Sequence, residues 1–188
     1  PMRVSPDPDY HTVTSREYGH RVGIFRVLET LDKHGIKATV AMDALTALRY
    51  PTLVKECTQR GYEVVGHGIG VRRMITSRMS EDEERQYINE SLETLATATG
   101  KRPTGWLGPE YGESERTPRL LAEAGIRYVC DWCNDEQPYP MKVPTGNLYA
   151  LPILTELDDV EMSWNRRVTI WQWSQMVRES FDVQYVEG

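Results

Sequence analysis

Apolar residues along the chain follow two spacings, and these predict alternating helices and strands. Over residues 17–34 the apolar positions recur every three or four residues, which is typical of a helix with one buried face. That face carries Ile24, Val27, Leu28 and Leu31. Further helices are predicted to begin at Pro51, at the capping box Ser80–Glu83, at Pro118 and at Ile170. Short β-branched or apolar runs predict strands at 36–42, 62–67, 102–107, 126–131, 148–152 and 182–186.

Two stretches lack either spacing. Residues 1–16 are polar and rich in proline and histidine, so we expect an irregular entry segment or lid there. Residues 132–147 are polar and contain several prolines, which predicts a loop. Because 188 residues suffice for one sizeable core, we assign 17–188 to a single domain.

A short unit joins helix to strand at three places in the chain. In each, a helix ends at a glycine, an isoleucine or tyrosine and a charged residue follow, and a strand begins. The three instances are His34-Gly-Ile-Lys, Arg60-Gly-Tyr-Glu and Ala124-Gly-Ile-Arg. Such short turns favour right-handed crossovers onto parallel strands, and so an α/β fold. Periodicity alone leaves an open sheet and a barrel both open, but no Gly-x-Gly-x-x-Gly opens a helix, which counts against a dinucleotide-binding fold.

Charge and composition exclude two classes of binding partner from the prediction. The net charge is −6 and no basic run stands out, so a nucleic-acid partner is not expected. No apolar segment approaches the ~20 residues that span a bilayer, so no membrane partner is expected. Three cysteines do not make a disulfide framework, which favours a reducing, cytoplasmic setting.

The best placed titratable side chain is His67, which follows a predicted strand and has a glycine on each side. In parallel α/β folds, ligands bind outside the carboxyl ends of the strands. Asp43, Glu110 and Asp131 follow other strands, so we expect them near His67. A histidine close to carboxylates can act as a general base or a metal ligand. For Asp43 and Asp131, a helix cap or turn residue is an equally good interpretation.

The cysteines and aromatic residues near the strand ends allow two interpretations each. Cys130 and Cys133 have the spacing of a redox or metal motif, but a buried thiol followed by a loop thiol is favoured, since no second pair completes a zinc site. Four aromatic residues either stack on a ring-shaped substrate or close the core: Trp106, Tyr111, Trp132 and Tyr139. Three others are expected to pack, or to lie in an oligomer interface: Trp164, Trp171 and Trp173.

An ordered set of motifs resembles the polysaccharide deacetylase (NodB homology) superfamily, and within it the branch of allantoinase-type and cyclic-imide-type hydrolases. The resemblance runs from about Glu17 to the end of the chain. Its carrying stretches are 17–23, 49–51, 61–68, 99–103, 105–109, Asn134-Asp135 and Pro138-Tyr139.

This resemblance implies a fold, a reaction class and a cofactor. The fold is a distorted (β/α) barrel, which we expect to be truncated at both ends. The reaction is hydrolysis of a carbon–nitrogen bond other than a peptide bond. Typical members bind a divalent metal, often zinc, through one Asp and two His. The metal polarises the substrate carbonyl and activates water, and an Asp base and a C-terminal His complete the mechanism.

The sequence departs from the family pattern at several positions. The first family histidine falls on His67, but the second, four residues later, falls on Val71. Leu107 stands where the family has an arginine, and the only acidic residues upstream of Glu17, Asp7 and Asp9, do not follow an apolar strand. A zinc ion therefore has one matched ligand, His67. The allantoinase-type branch also departs from the two-histidine pattern.

We therefore expect a hydrolase of a linear or cyclic amide or imide. The expected catalytic residues are His67, Glu110 and Asp135, with His67 also the candidate metal ligand. The expected substrate-binding residues are Trp106, Pro109, Asp131, Trp132 and Tyr139. An N-acetyl sugar deacetylase and a degenerate, non-catalytic member are the alternatives. The expected partners are a small-molecule or sugar amide substrate and further copies of the same chain.

Overall fold

Residues 10–187 are described by a computed structural model, in which helices pack against a six-stranded sheet. The part of the entry segment before Tyr10 lies outside the described residues, as do Asp7 and Asp9. The strands are β1 (Thr39–Met42), β2 (Glu63–Gly66), β3 (Gly105–Trp106), β4 (Tyr128–Val129), β5 (Tyr139–Met141) and β6 (Leu148–Ala150).

The strand order in the sheet is β1-β2-β3-β4-β6-β5. All neighbouring pairs are parallel except β5 with β6. Met42 of β1 lies beside Gly66 of β2, and Gly66 lies beside Trp106 of β3. The carboxyl ends of these strands therefore lie at the same end of the sheet. This confirms the predicted parallel α/β class; within residues 10–187 the sheet is open, with β1 and β5 at its edges.

Seven helices lie in the described part of the chain. They are α1 (Tyr10–Tyr18), α2 (Ile24–His34), α3 (Ala44–Arg49), α4 (Pro51–Gln59), α5 (Glu81–Thr99), α6 (Thr117–Glu123) and α7 (Ile170–Glu187). Short turns of other helical types lie at Gly19–Gly23, Pro109–Tyr111, Thr155–Leu157 and Glu161–Asn165. None of the helices within residues 10–187 is long and apolar enough to cross a membrane.

The central helix of the fold is α5. The predicted capping box opens it, with the Glu83 amide donating to Ser80 Oγ and the Ser80 amide donating to Glu83 Oε2. Ile88 and Leu92 of α5 enter one hydrophobic cluster, which also holds Trp106. Leu95, one turn further, enters a second cluster with residues of α2, α3 and α4. One helix thus joins the two halves of the core.

Three predictions of secondary structure were wrong, and one helix was not predicted. Residues 10–16 are helical, as the first turns of α1. Asp43 caps an additional helix, α3, whose six residues are too few for a periodic pattern. The predicted loop 132–147 contains β5, an edge strand in which the sheet tolerates Pro140. Residues 182–186 continue α7, because no glycine or proline interrupts the helix after Ile170.

The tryptophans at the C-terminal end divide between packing and exposure. Trp173 packs against the body of the protein, and its indole N–H donates to the Leu157 carbonyl at 2.8 Å. Trp164 and Trp171, for which packing was the favoured expectation, are 81% and 79% exposed. No contact within the described chain buries these two rings.

A fully buried carboxylate anchors the start of α5 to the segment that precedes α6. Glu84 is 0% exposed and accepts hydrogen bonds from Ser114 Oγ at 2.8 Å, from Thr117 Oγ1 at 2.5 Å and from the Arg116 guanidinium at 3.1 Å. A buried charge with this many partners is satisfied, and removal of one member leaves the others unpaired.

We predict that Glu84→Ala lowers the free energy of unfolding by about 3–5 kcal/mol, since it removes the buried carboxylate that pairs with Arg116 and accepts from two buried hydroxyls. Urea unfolding measures the change. Glu93→Ala is the control, because Glu93 forms an exposed ion pair with Arg102 and its loss should cost less than about 1 kcal/mol. Equal losses for the two variants would contradict the assignment.

Candidate active site

A cleft of about 480 Å³ opens where the strands end. One wall consists of residues that follow β2 and β3, and the other consists of residues after β6, up to the turn at Glu161–Asn165. The lining residues are His67, Leu107, Gly108, Glu110, Tyr111, Thr155, Glu156, Asp158, Val160, Glu161, Asn165 and Arg166. Sequence analysis missed the second wall, since no strand or motif marks residues 155–166.

His67 is half-buried at the sheet edge of the cleft. Its amide donates to the Met42 carbonyl at 3.1 Å, and its ring Nδ1 lies 2.5 Å from the Leu107 carbonyl. Because a carbonyl only accepts, Nδ1 carries the hydrogen. In the neutral ring, Nε2 is then the nitrogen with a free lone pair, and it can accept a proton or bind one metal ion.

The glycines on either side of His67 make room for two buried aromatic rings. A Cβ on Gly66 would lie 2.7 Å from the Trp106 ring. Gly68 has a φ of +68°, and a Cβ there would lie 2.1 Å from the Tyr87 hydroxyl. Neither position accepts a side chain, so the main chain at His67 is held closely on both sides.

The turn after β3 brings two side chains to the wall of the cleft. Glu110 and Tyr111 are consecutive non-glycine residues with positive φ, at 52° and 56°. Each such conformation costs roughly 1–2 kcal/mol, which the surrounding structure must offset. Pro109, just before them, is buried and lies against Gly68. Both exposed side chains of this strained turn line the cleft.

Asp131 holds the first residue of this turn by hydrogen bonds. Its two carboxylate oxygens accept hydrogen bonds from the Gly108 amide at 2.9 and 2.8 Å. Burial raises the pKa of Asp131, while the neighbouring Glu113 carboxyl and the Gly108 amide act in the opposite direction. Asp131 therefore fixes the start of the turn, and does not itself line the cleft.

Sequence analysis also missed Glu113. Burial, followed by the adjacent carboxylate of Asp131, raises the pKa of Glu113 to about 10. The Trp132 indole N–H donates to Glu113 Oε2 at 3.1 Å. This environment favours the protonated form of Glu113. Its position after Gly112, in a turn, gives no periodic signal that could have identified it.

Several predicted site residues lie away from the cleft lining. Trp106 is 0% exposed in the core, so its ring does not reach the cleft. Asp135 is exposed in the loop after β4, where its carboxylate accepts from the Gln137 amide and closes a local turn. The Tyr139 hydroxyl donates to the Trp132 carbonyl at 3.0 Å. This hydrogen bond joins β5 to the segment after β4, and neither Tyr139 nor Trp132 lines the cleft.

Asp43 serves as a helix cap. Its Oδ1 accepts from the Thr46 amide at 2.9 Å and its Oδ2 from the Thr46 hydroxyl at 2.7 Å. This agrees with the cap interpretation of the sequence. Cys130 is buried and Cys133 exposed, and neither forms a disulfide, as the interpretation of two separate thiols expects.

The described residues do not form a zinc site. Within residues 10–187 no group of three or more His, Cys, Asp or Glu side chains is arranged to hold a metal ion. His67 offers one nitrogen, because Leu107 holds the other. The oxygens of Asp131 accept from the Gly108 amide and those of Asp43 from the Thr46 amide and hydroxyl. Val71 is exposed where the family has its second histidine.

Comparison with known proteins places the chain in a family. Residues 17–129 match the polysaccharide deacetylase family model. The peptidoglycan deacetylase of Helicobacter pylori is 29% identical over 127 residues, which are 67% of this chain and 43% of that protein. A peptidoglycan-N-acetylglucosamine deacetylase of Bacillus cereus is 28% identical over 88 residues, 47% of this chain and 31% of that protein.

Among solved structures, that of PuuE allantoinase superposes with a TM-score of 0.81 and 29% identity, over 91% of this chain and 57% of that one. The chain therefore belongs to the polysaccharide deacetylase family. Its fold is the (β/α) barrel type of that family, with the sheet open in residues 10–187. The chain spans about half the length of these relatives, or less.

We predict that Glu113→Gln removes one component of the pH dependence of stability. The folded protein holds the Glu113 proton up to a pKa of about 10, against an ordinary value of 4.5. The unfolded chain releases this proton first, so the free energy of unfolding falls as pH rises between these values, by at most about 1.4 kcal/mol per pH unit. Glutamine stays neutral and lacks this fall. Urea unfolding from pH 5 to pH 9 measures the difference.

Glu115→Gln is the matched control, because Glu115 is exposed two residues away. The free energy of unfolding of Glu115→Gln should vary with pH as that of wild type does. A Glu113→Gln variant whose stability stays parallel to wild type across this range would show that Glu113 is ionised in the folded protein.

Proposed function

We propose that this chain hydrolyses a carbon–nitrogen bond other than a peptide bond, in a small linear or cyclic amide or imide. The observation that carries the proposal is the placement of His67, whose ring is oriented by the Leu107 carbonyl at the edge of the cleft. The likeness to PuuE allantoinase over 91% of the chain favours a small cyclic amide.

In the proposed reaction, His67 moves one proton in each direction. Nε2 accepts a proton from water as the water oxygen attacks the substrate carbonyl carbon. The resulting imidazolium then donates that proton to the leaving nitrogen, and the carbon–nitrogen bond breaks. The products are a carboxylic acid and an amine or amide, and the histidine returns to its neutral form.

The turn at 108–111 completes the proposed substrate site. Glu110 and Tyr111 offer a carboxylate and a phenol to a bound amide from the cleft wall. Asp131, Pro109, Trp132 and Tyr139 contribute by fixing this wall. No step is assigned to Asp135 or Trp106, which lie outside the cleft.

The second candidate function is deacetylation of an N-acetyl sugar. The family model favours it, as does the similarity to the deacetylases of Helicobacter pylori and Bacillus cereus. This function is associated with a complete metal triad, and residues 10–187 do not supply one.

We predict that His67→Ala lowers kcat/KM at least about 100-fold, because a general base contributes roughly 10²–10⁴ in rate. Steady-state hydrolysis of a cyclic imide measures this loss. His34→Ala is the control, since His34 is exposed in the last turn of α2 and should leave the rate unchanged. Activity retained in His67→Ala would refute the assignment.

Substrate preference distinguishes the two candidates. We predict that kcat/KM for allantoin or a cyclic imide exceeds that for an N-acetylglucosamine oligomer by at least about tenfold, which corresponds to roughly 1.4 kcal/mol of transition-state binding. The metal content of the same preparation is measured in parallel. The reverse preference, with about one zinc per chain, would establish the deacetylase instead. Hydrolysis of neither class would favour a non-catalytic member.

A further inference from the structure

The segment after His67 is held by one helix of the core. Residues 68–73 leave β2 and run between α3 and α5. Gly68 begins the segment in the left-handed conformation, with its Cα hydrogen directed at the Tyr87 hydroxyl. This tight approach places the following peptide groups within reach of α5.

Tyr87 connects both ends of the segment through one oxygen. Its side chain is 0% exposed. The hydroxyl accepts from the Ile69 amide at 3.1 Å and donates to the Arg73 carbonyl at 2.5 Å. The Arg73 guanidinium also lies over the Tyr87 ring, 5.4 Å from its centroid. A phenylalanine would fill the same space and make neither hydrogen bond.

Ser91, one turn further along α5, holds the first carbonyl of the segment. Its hydroxyl is buried and donates to the Gly68 carbonyl at 2.8 Å. The same carbonyl accepts from the Ala44 amide at 3.0 Å, and the Ile69 carbonyl accepts from the Leu45 amide at 3.0 Å. The first N–H groups of α3, which have no partner within their own helix, are thereby satisfied.

We propose that Tyr87, assisted by Ser91, is the positioning residue for His67. His67 is fixed on its other side by the Met42 and Leu107 carbonyls. With Tyr87 and Ser91 holding Gly68 and Ile69, the main chain of His67 has one orientation, and the ring keeps its hydrogen on Nδ1. The consequence of this positioning role for catalysis rests on the function proposed for His67.

Tyr87→Phe in the whole chain tests this inference. In wild type we expect the ¹⁵N signals of the His67 ring to report the Nδ1-protonated tautomer. In Tyr87→Phe we expect a mixture of tautomers and at least about tenfold faster hydrogen exchange at the Ile69 amide, the effect of losing one buried hydrogen bond. We also expect kcat to fall about tenfold or more, with KM unchanged within about twofold.

Tyr62→Phe is the matched control. Tyr62 is also buried, but its hydroxyl lies 3.4 Å from the Ile36 carbonyl, at the opposite end of β2. It should leave the His67 signals and the rate as in wild type. Ser91→Ala provides a second variant if Tyr87→Phe does not fold, and it should change the same signals in the same direction.

Wild-type His67 signals and Ile69 exchange in Tyr87→Phe would overturn the inference. The NMR measurements do not depend on turnover. A wild-type chain that hydrolyses no tested substrate therefore refutes the proposed function, whereas unchanged NMR signals refute the positioning role.

Discussion

The close packing of two buried aromatic rings against the main chain around His67 is the constraint on which the site depends. Gly66 leaves room for Trp106 and Gly68 leaves room for Tyr87, because a Cβ at either position would overlap the ring. The main chain at His67 is therefore closely packed, although both neighbouring residues are glycines. The absence of a side chain at these two positions lets the core reach the backbone of the strand end, and a rigid core can then fix a titratable group at the surface.

Buried carboxyl groups support the neighbouring turn in two different ways. Glu84 is charged and paired, with Arg116 and two hydroxyls around it. Glu113 has the carboxylate of Asp131 and the Trp132 indole beside it, and burial raises its pKa, so the protonated form is favoured. The charge of Glu84 is compensated by its partners, whereas Glu113 avoids a buried charge by protonation. Glu113 belongs to the segment that follows the strained residues of the cleft wall, and Glu84 accepts hydrogen bonds from the same segment.

Much of the fold follows from local sequence signals. The glycines after α2 and α4 and the Ser80–Glu83 box predict where elements end and begin, because capping depends on a few adjacent residues. The site was less predictable. His67 is found because strand ends converge, but Glu113 and the wall at 155–166 depend on contacts distant in sequence. Asp135 was placed by its motif and Trp106 by its strand, and neither signal contains information about burial.

The two edge strands of the sheet differ in their ability to pair with a further strand, because β5 contains a proline. Pro140 has no N–H to offer, so β5 presents an incomplete row of donors to any strand that approaches from its side. At the opposite edge, β1 pairs on one side only among residues 10–187, and its four residues include no proline. A further strand would therefore find a more complete row of main-chain donors at β1 than at β5, and the β5 side resists edge-to-edge aggregation.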